Sequence, residues 1–99
     1  MVRHIIIWDL KDDLTNEQKK AAAEKIKHDL EALKGVIEGL IDIKVQSELL
    51  DTSNGDVLLD SCFENEAALS YYADHPEHVK VKGFVGSVTK SRKCVDFEI

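Results

Sequence analysis

The chain has 99 residues, of which 43% are hydrophobic and 32% charged, and it carries a formal net charge of −6. That length fits one domain over residues 1–99, and the composition is too apolar and too evenly charged for a disordered segment. The acidic balance argues against a nucleic-acid partner or an anionic membrane surface, because both require a basic face.

The first element in chain order is a strand over Val2 to Leu10 with three consecutive isoleucines and a tryptophan. Alternation puts His4, Ile6, Trp8 and Leu10 on one side and Ile5 and Ile7 on the other, so both faces are apolar and both need cover. This run enters Asp9 and Lys11-Asp12-Asp13 directly, unlike a secretory signal, and no apolar run approaches the roughly twenty residues of a membrane span. A cytoplasmic location is the expectation.

Thr15 followed by Gln18 predicts a capping box, opening a helix that runs to Lys34 with Gly35 as its stop. Ala22, Ile26, Leu30, Leu33 and Ile37 form its apolar stripe, which covers one side of a sheet. A second strand is predicted over Leu40 to Leu50, followed by a turn in which Asn54-Gly55 suits positive backbone angles. A third strand follows from Asp56 to Phe63, then a second helix from about Asn65. Pro76 breaks that helix near Asp74 and starts another, while Gly83 and Gly86 are expected to loosen Phe84 to Val88. Cys94 to Ile99 alternates as a closing strand. Cys62 and Cys94 lack metal-binding spacing and are expected to be buried free thiols.

The order strand, helix, strand, strand, helix, strand predicts an α+β fold, a ferredoxin-like split βαβ protomer with a four-stranded antiparallel sheet and its helices on one face. The uncovered sheet face cannot be fully polar. A homodimer pairing two such faces, a dimeric α+β barrel, follows as an expectation, with a secluded lumen beside the sheets. Ile6 and Trp8 are expected in the buried layer between subunits.

Two of the four histidines stand in Tyr71-Tyr72-Ala73-Asp74-His75-Pro76-Glu77-His78. At the third position of a new helix, His78 meets the positive dipole end, which favours the neutral, proton-accepting imidazole; Glu77 opposes this. With His4 on the first strand and Tyr72 before the break, these groups predict acid/base chemistry beside a carbonyl. His78 would act as base, Tyr72 as hydrogen-bond donor and His4 as the residue that holds or polarises the substrate. A metal site built from His75, Glu77, His78 and His4 is the weaker reading, since too few ligands converge. His28 reads as part of a solvated helix face.

Arg3-His4-Ile5-Ile6-Ile7, Leu14-Thr15-x-x-Gln18-Lys19 and above all His75-Pro76-Glu77-His78-Val79 resemble the stress-responsive A/B barrel domain (Dabb, dimeric α/β barrel) family over essentially the whole chain. The resemblance implies a ferredoxin-like protomer dimerised into a barrel. Most members have no assigned reaction. Plant polyketide cyclases similar to this family close a linear polyketide thioester by aldol condensation without metal or organic cofactor, which implies catalytic roles for His4, Tyr72 and His78. A pocket tyrosine of those cyclases is replaced here by Ile26, so one orienting hydroxyl is missing. Ile6, Trp8, Ile26 and His75 are expected to contact a small apolar or aromatic ligand. The alternatives are a non-enzymatic, stress-associated structural protein and a related barrel oxygenase.

Overall fold

Seven elements make up the computed structural model, which describes residues 1–99: β1 (Val2–Leu10), α1 (Asn16–Glu31), β2 (Leu40–Gln46), β3 (Val57–Phe63), α2 (Glu66–Asp74), α3 (Pro76–Val88) and β4 (Thr89–Glu98). The strands form one sheet in the order β2-β3-β1-β4, with every neighbouring pair antiparallel. This is the ferredoxin-like arrangement the order of elements predicts.

Local chemistry explains the elements. Thr15 and Gln18 exchange the two bonds of a capping box, at 2.8 and 3.1 Å, and fix the start of α1. At the other end of α1, Lys27 donates to the Val45 carbonyl at 2.9 Å and Glu31 accepts from the Val45 amide at 2.9 Å. These side chains occupy backbone groups of the edge strand β2 and so blunt that edge. Gly39 allows the chain to turn into β2 at φ +89°, and a β-carbon there would meet the Ala68 Cβ at 2.6 Å, so helix α2 also requires glycine at this position.

The helical layer packs on one sheet face. Ile6, Trp8 and Leu10 of β1, Ile43 and Val45 of β2, and Val57, Leu59 and Phe63 of β3 join Ile26 and Leu30 of α1 and Tyr72 of α2 in the core. Ile6 and Trp8 therefore lie beneath helices, not between subunits as the sequence led us to expect. The opposite face presents Ile5 and Ile7, which pair with Val95 and Lys93 of β4, while Arg3 pairs with Phe97. Ile7, Val95 and Phe97 are 40%, 51% and 42% exposed, so this face keeps an apolar strip without cover.

Several boundaries differ from expectation. The α1 helix stops at Glu31, because three turn residues and Gly35 at φ +84° carry the chain away before Val36. Strand β2 ends at Gln46, since Ser47 to Leu50 has no partner strand. Positive φ angles occur only at Gly35 and Gly39, so Asn54-Gly55 turns without them. Helix α3 continues through Gly83 and Gly86, and β4 begins immediately after it at Thr89, five residues before the predicted start at Cys94. Cys62 is buried as expected, whereas Cys94, on the edge strand β4, is exposed.

Candidate active site

The break between α2 and α3 builds the centre of the site. Asn65 caps α2 by accepting from the Ala68 amide at 2.8 Å. His75, extended at φ −64° and ψ 133° as a residue before proline must be, ends α2 and caps α3. Its Nδ1 accepts from the Glu77 amide at 3.1 Å. His78 then falls in the first turn of α3, and its ring folds back so that Nδ1 lies 3.2 Å from the Ala73 carbonyl. A carbonyl only accepts, so Nδ1 carries the proton and Nε2 holds the free lone pair. The same bond satisfies one of the carbonyls left open at the end of α2.

Burial lowers the His78 pKa below the ordinary histidine value; the charges of Lys82 and His4 add to this, while backbone bonds to Ala73 and Tyr72 partly offset it. The neutral imidazole is thus favoured, with desolvation as the leading cause. The Tyr72 ring lies against this imidazole, with 3.9 Å between centroids and 27° between planes, and packs on Phe63 at 4.9 Å on another side. Tyr72 is 1% exposed, and its hydroxyl has no hydrogen-bond partner in the chain. Burial raises the Tyr72 pKa far above the usual phenol range, so the group remains a donor. His4, buried on β1, reaches Asp96 of β4 through Nδ1, and its ring stands 6.4 Å from that of Tyr72. A carboxylate oxygen accepts, so His4 donates to Asp96 through Nδ1 and leaves Nε2 outside that bond.

These groups face one cavity of about 270 Å³ between the sheet and α1, α2 and α3, near the lower end of the size range of ligand pockets. His4, Tyr72, His78, Lys82, Thr89 and Arg92 supply its polar groups, and Ile6, Trp8, Leu30, Leu59, Leu69 and Val85 its apolar wall. The arrangement sets a neutral imidazole and an unused phenol donor side by side in apolar surroundings.

The model of the stress responsive A/B barrel domain matches residues 2–99. The chain belongs to the stress responsive A/B barrel domain family. A dimeric protein of unknown function with a ferredoxin-like fold from Bacteroides fragilis is 33% identical, with 99% of this chain and 95% of that one covered and a TM-score of 0.92. A dimeric ferredoxin-like protein of unknown function from Thermobifida fusca is 23% identical over 99% and 90% of the two chains, with a TM-score of 0.83. The hydroxynitrile lyase of Passiflora edulis is 16% identical over 99% and 92%, with a TM-score of 0.79, a likeness of fold. No curated protein matches the chain.

Within this barrel-domain protomer, Ile26 and His75 do not line the cavity. Ile26 is fully buried in the core under the sheet, and His75 is occupied as the helix cap, with Tyr71 packed edge-on at 5.5 Å. His28 is exposed beside Asp29, consistent with a solvated helix face. Asp96, Lys82 and Arg92 went unrecognised in the sequence, although Lys82 follows His78 by one helical turn. No helix is long and apolar enough to cross a membrane.

Proposed function

We propose that this protein is a homodimer whose protomers each bind a small, partly apolar carbonyl compound and act on it by acid/base catalysis without a cofactor. The carrying observation is the Tyr72–His78 pair: an unpartnered buried hydroxyl stacked on a neutral imidazole whose tautomer is fixed. The substrate carbonyl accepts from the Tyr72 hydroxyl, and His78 Nε2 takes a proton from the adjacent carbon. The carbon–hydrogen electron pair moves into the enolate, and the proton rests on His78 as imidazolium until it returns to carbon or to a condensation product. His4, held by Asp96, orients or polarises the same substrate.

Cyclase-like condensations share this first step. Dimerisation is supported by the apolar strip of the uncovered sheet face and by the dimeric Bacteroides relative. The test is proton exchange in deuterated water with a simple ketone such as phenylacetone, followed by NMR. Exchange should be accelerated by the protein and fall by about 10²–10⁴-fold in His78→Ala. Equal exchange by His78→Ala and the natural protein would overturn the assignment of the base.

A further inference from the structure

Charge is distributed unevenly around the cavity. The chain carries 19 acidic and 13 basic side chains, yet no Asp or Glu lines the cavity, whereas Lys82 of α3 and Arg92 of β4 both do. Six cations elsewhere are paired, Arg3 with Asp60, Lys25 with Asp29, Lys27 with Glu31, Lys34 with Asp42, Lys80 with Glu77 and Lys90 with Asp12. Lys82 and Arg92 are unpaired, as are Lys11, Lys19, Lys20, Lys44 and Lys93, but of all these cations only Lys82 and Arg92 line the cavity. Lys82 is close enough for its charge to act on His78, and Arg92 lies beside the Cys94 thiol. Both are exposed, so they stand where the cavity opens to solvent, while Ile6, Trp8 and Leu59 form its apolar side.

We propose that Lys82 and Arg92 form an anion subsite at the cavity mouth, so that the ligand is a small apolar acid with its hydrocarbon body inside and its anionic group between these two cations. This deepens the acid/base reading and rests on the same cavity being a ligand site. A guanidinium offers a planar fork that matches a carboxylate, and an ammonium adds a point charge. Near an apolar wall both act at lower effective dielectric than in bulk water, so an anion gains more here than on the open surface. A ligand held this way extends past His78 toward Tyr72, which places a carbon next to a keto group of its body within the working region of the base.

The experiment compares benzoate and phenylacetate with their planar neutral counterparts, benzamide and phenylacetamide, by calorimetry and thermal shift on the full chain. The acids should bind at least about tenfold more tightly, and the preference should shrink with added salt. It should disappear in Lys82→Gln/Arg92→Gln and survive in Lys20→Gln, an exposed lysine away from the cavity. Phenylphosphonate distinguishes the anion: tighter binding than benzoate supports a phosphorylated ligand at this subsite, and equal or weaker binding supports a carboxylate. Equal binding of acids and amides, no binding of any acid, or an acid preference that persists in the double variant would overturn the proposal. Binding and exchange separate the two readings. Acid binding that depends on Lys82 and Arg92 without ketone exchange retains the subsite and rejects the chemistry, while ketone exchange without acid preference does the reverse.

Discussion

The Tyr72 phenol and the His78 imidazole lie face to face, 3.9 Å between centroids, and the phenol hydroxyl meets no acceptor in the chain. A buried hydroxyl without a partner opposes folding, so its presence has to be explained by something other than stability. Tyr72→Phe is therefore expected to leave stability unchanged or to raise it by about 1 kcal/mol, while proton exchange falls by about 10²-fold. Urea denaturation alongside the NMR assay checks both; a Tyr72→Phe variant that loses stability and keeps exchange would assign the ring to packing alone.

The lowered pKa of His78 predicts how stability varies with pH. Above the unfolded histidine value of 6.5 the ring is neutral in both states and contributes no pH dependence. As pH falls through that value the unfolded chain takes up the proton first, so the folded state loses stability, and the loss stops growing once pH passes below the folded-state pKa. His78→Asn should flatten this decline between about pH 7 and pH 5, as read by thermal melts. An identical pH slope in the variant would place the ring in ordinary solvent.

On the uncovered sheet face, Val95→Asp and Phe97→Asp should yield folded monomers, visible as halved mass by light scattering with unchanged circular dichroism. Ile6→Asp and Trp8→Asp behave differently, because both residues sit in the core and each buried charge costs the fold about 3 kcal/mol or more. Undiminished mass in Val95→Asp and Phe97→Asp would reject this face as the interface.

The two glycines at positive φ provide an internal comparison. Gly35→Ala meets nothing within 4 Å and should cost about 1–2 kcal/mol from the left-handed backbone alone. Gly39→Ala adds a 2.6 Å approach to the Ala68 Cβ and should cost more, about 2–4 kcal/mol, because α2 has to move. Denaturant midpoints of the two variants measure the difference.

The strand order, the capping box and the helix break at Pro76 were legible because each has a local cause in neighbouring residues. Which face of β1 the helices cover was not. Ile5 and Ile7 are as apolar as Ile6 and Trp8, so alternation offered no contrast, and the answer lies in the distant register that pairs Ile6 with Cys94 and Leu59. The same register brings Asp96 opposite His4, a partnership separated by most of the chain and invisible to local patterns. Lys82 reads as part of a solvated face, because nothing local shows that the turn after His78 borders a cavity. Gly83 and Gly86 do not loosen Phe84 to Val88: the helix tolerates each at about 1 kcal/mol while Val81, Phe84, Val85 and Val88 pack against the core.

Helix α3 passes into β4 from Val88 to Thr89 with no loop between them. His78 rides on one end of this unbroken piece, and the strand carrying Arg92 and Asp96 is its other end. No connecting segment separates the pocket-lining helix from the exposed sheet edge, so a substitution that shifts β4 has little backbone between it and the helix that carries His78.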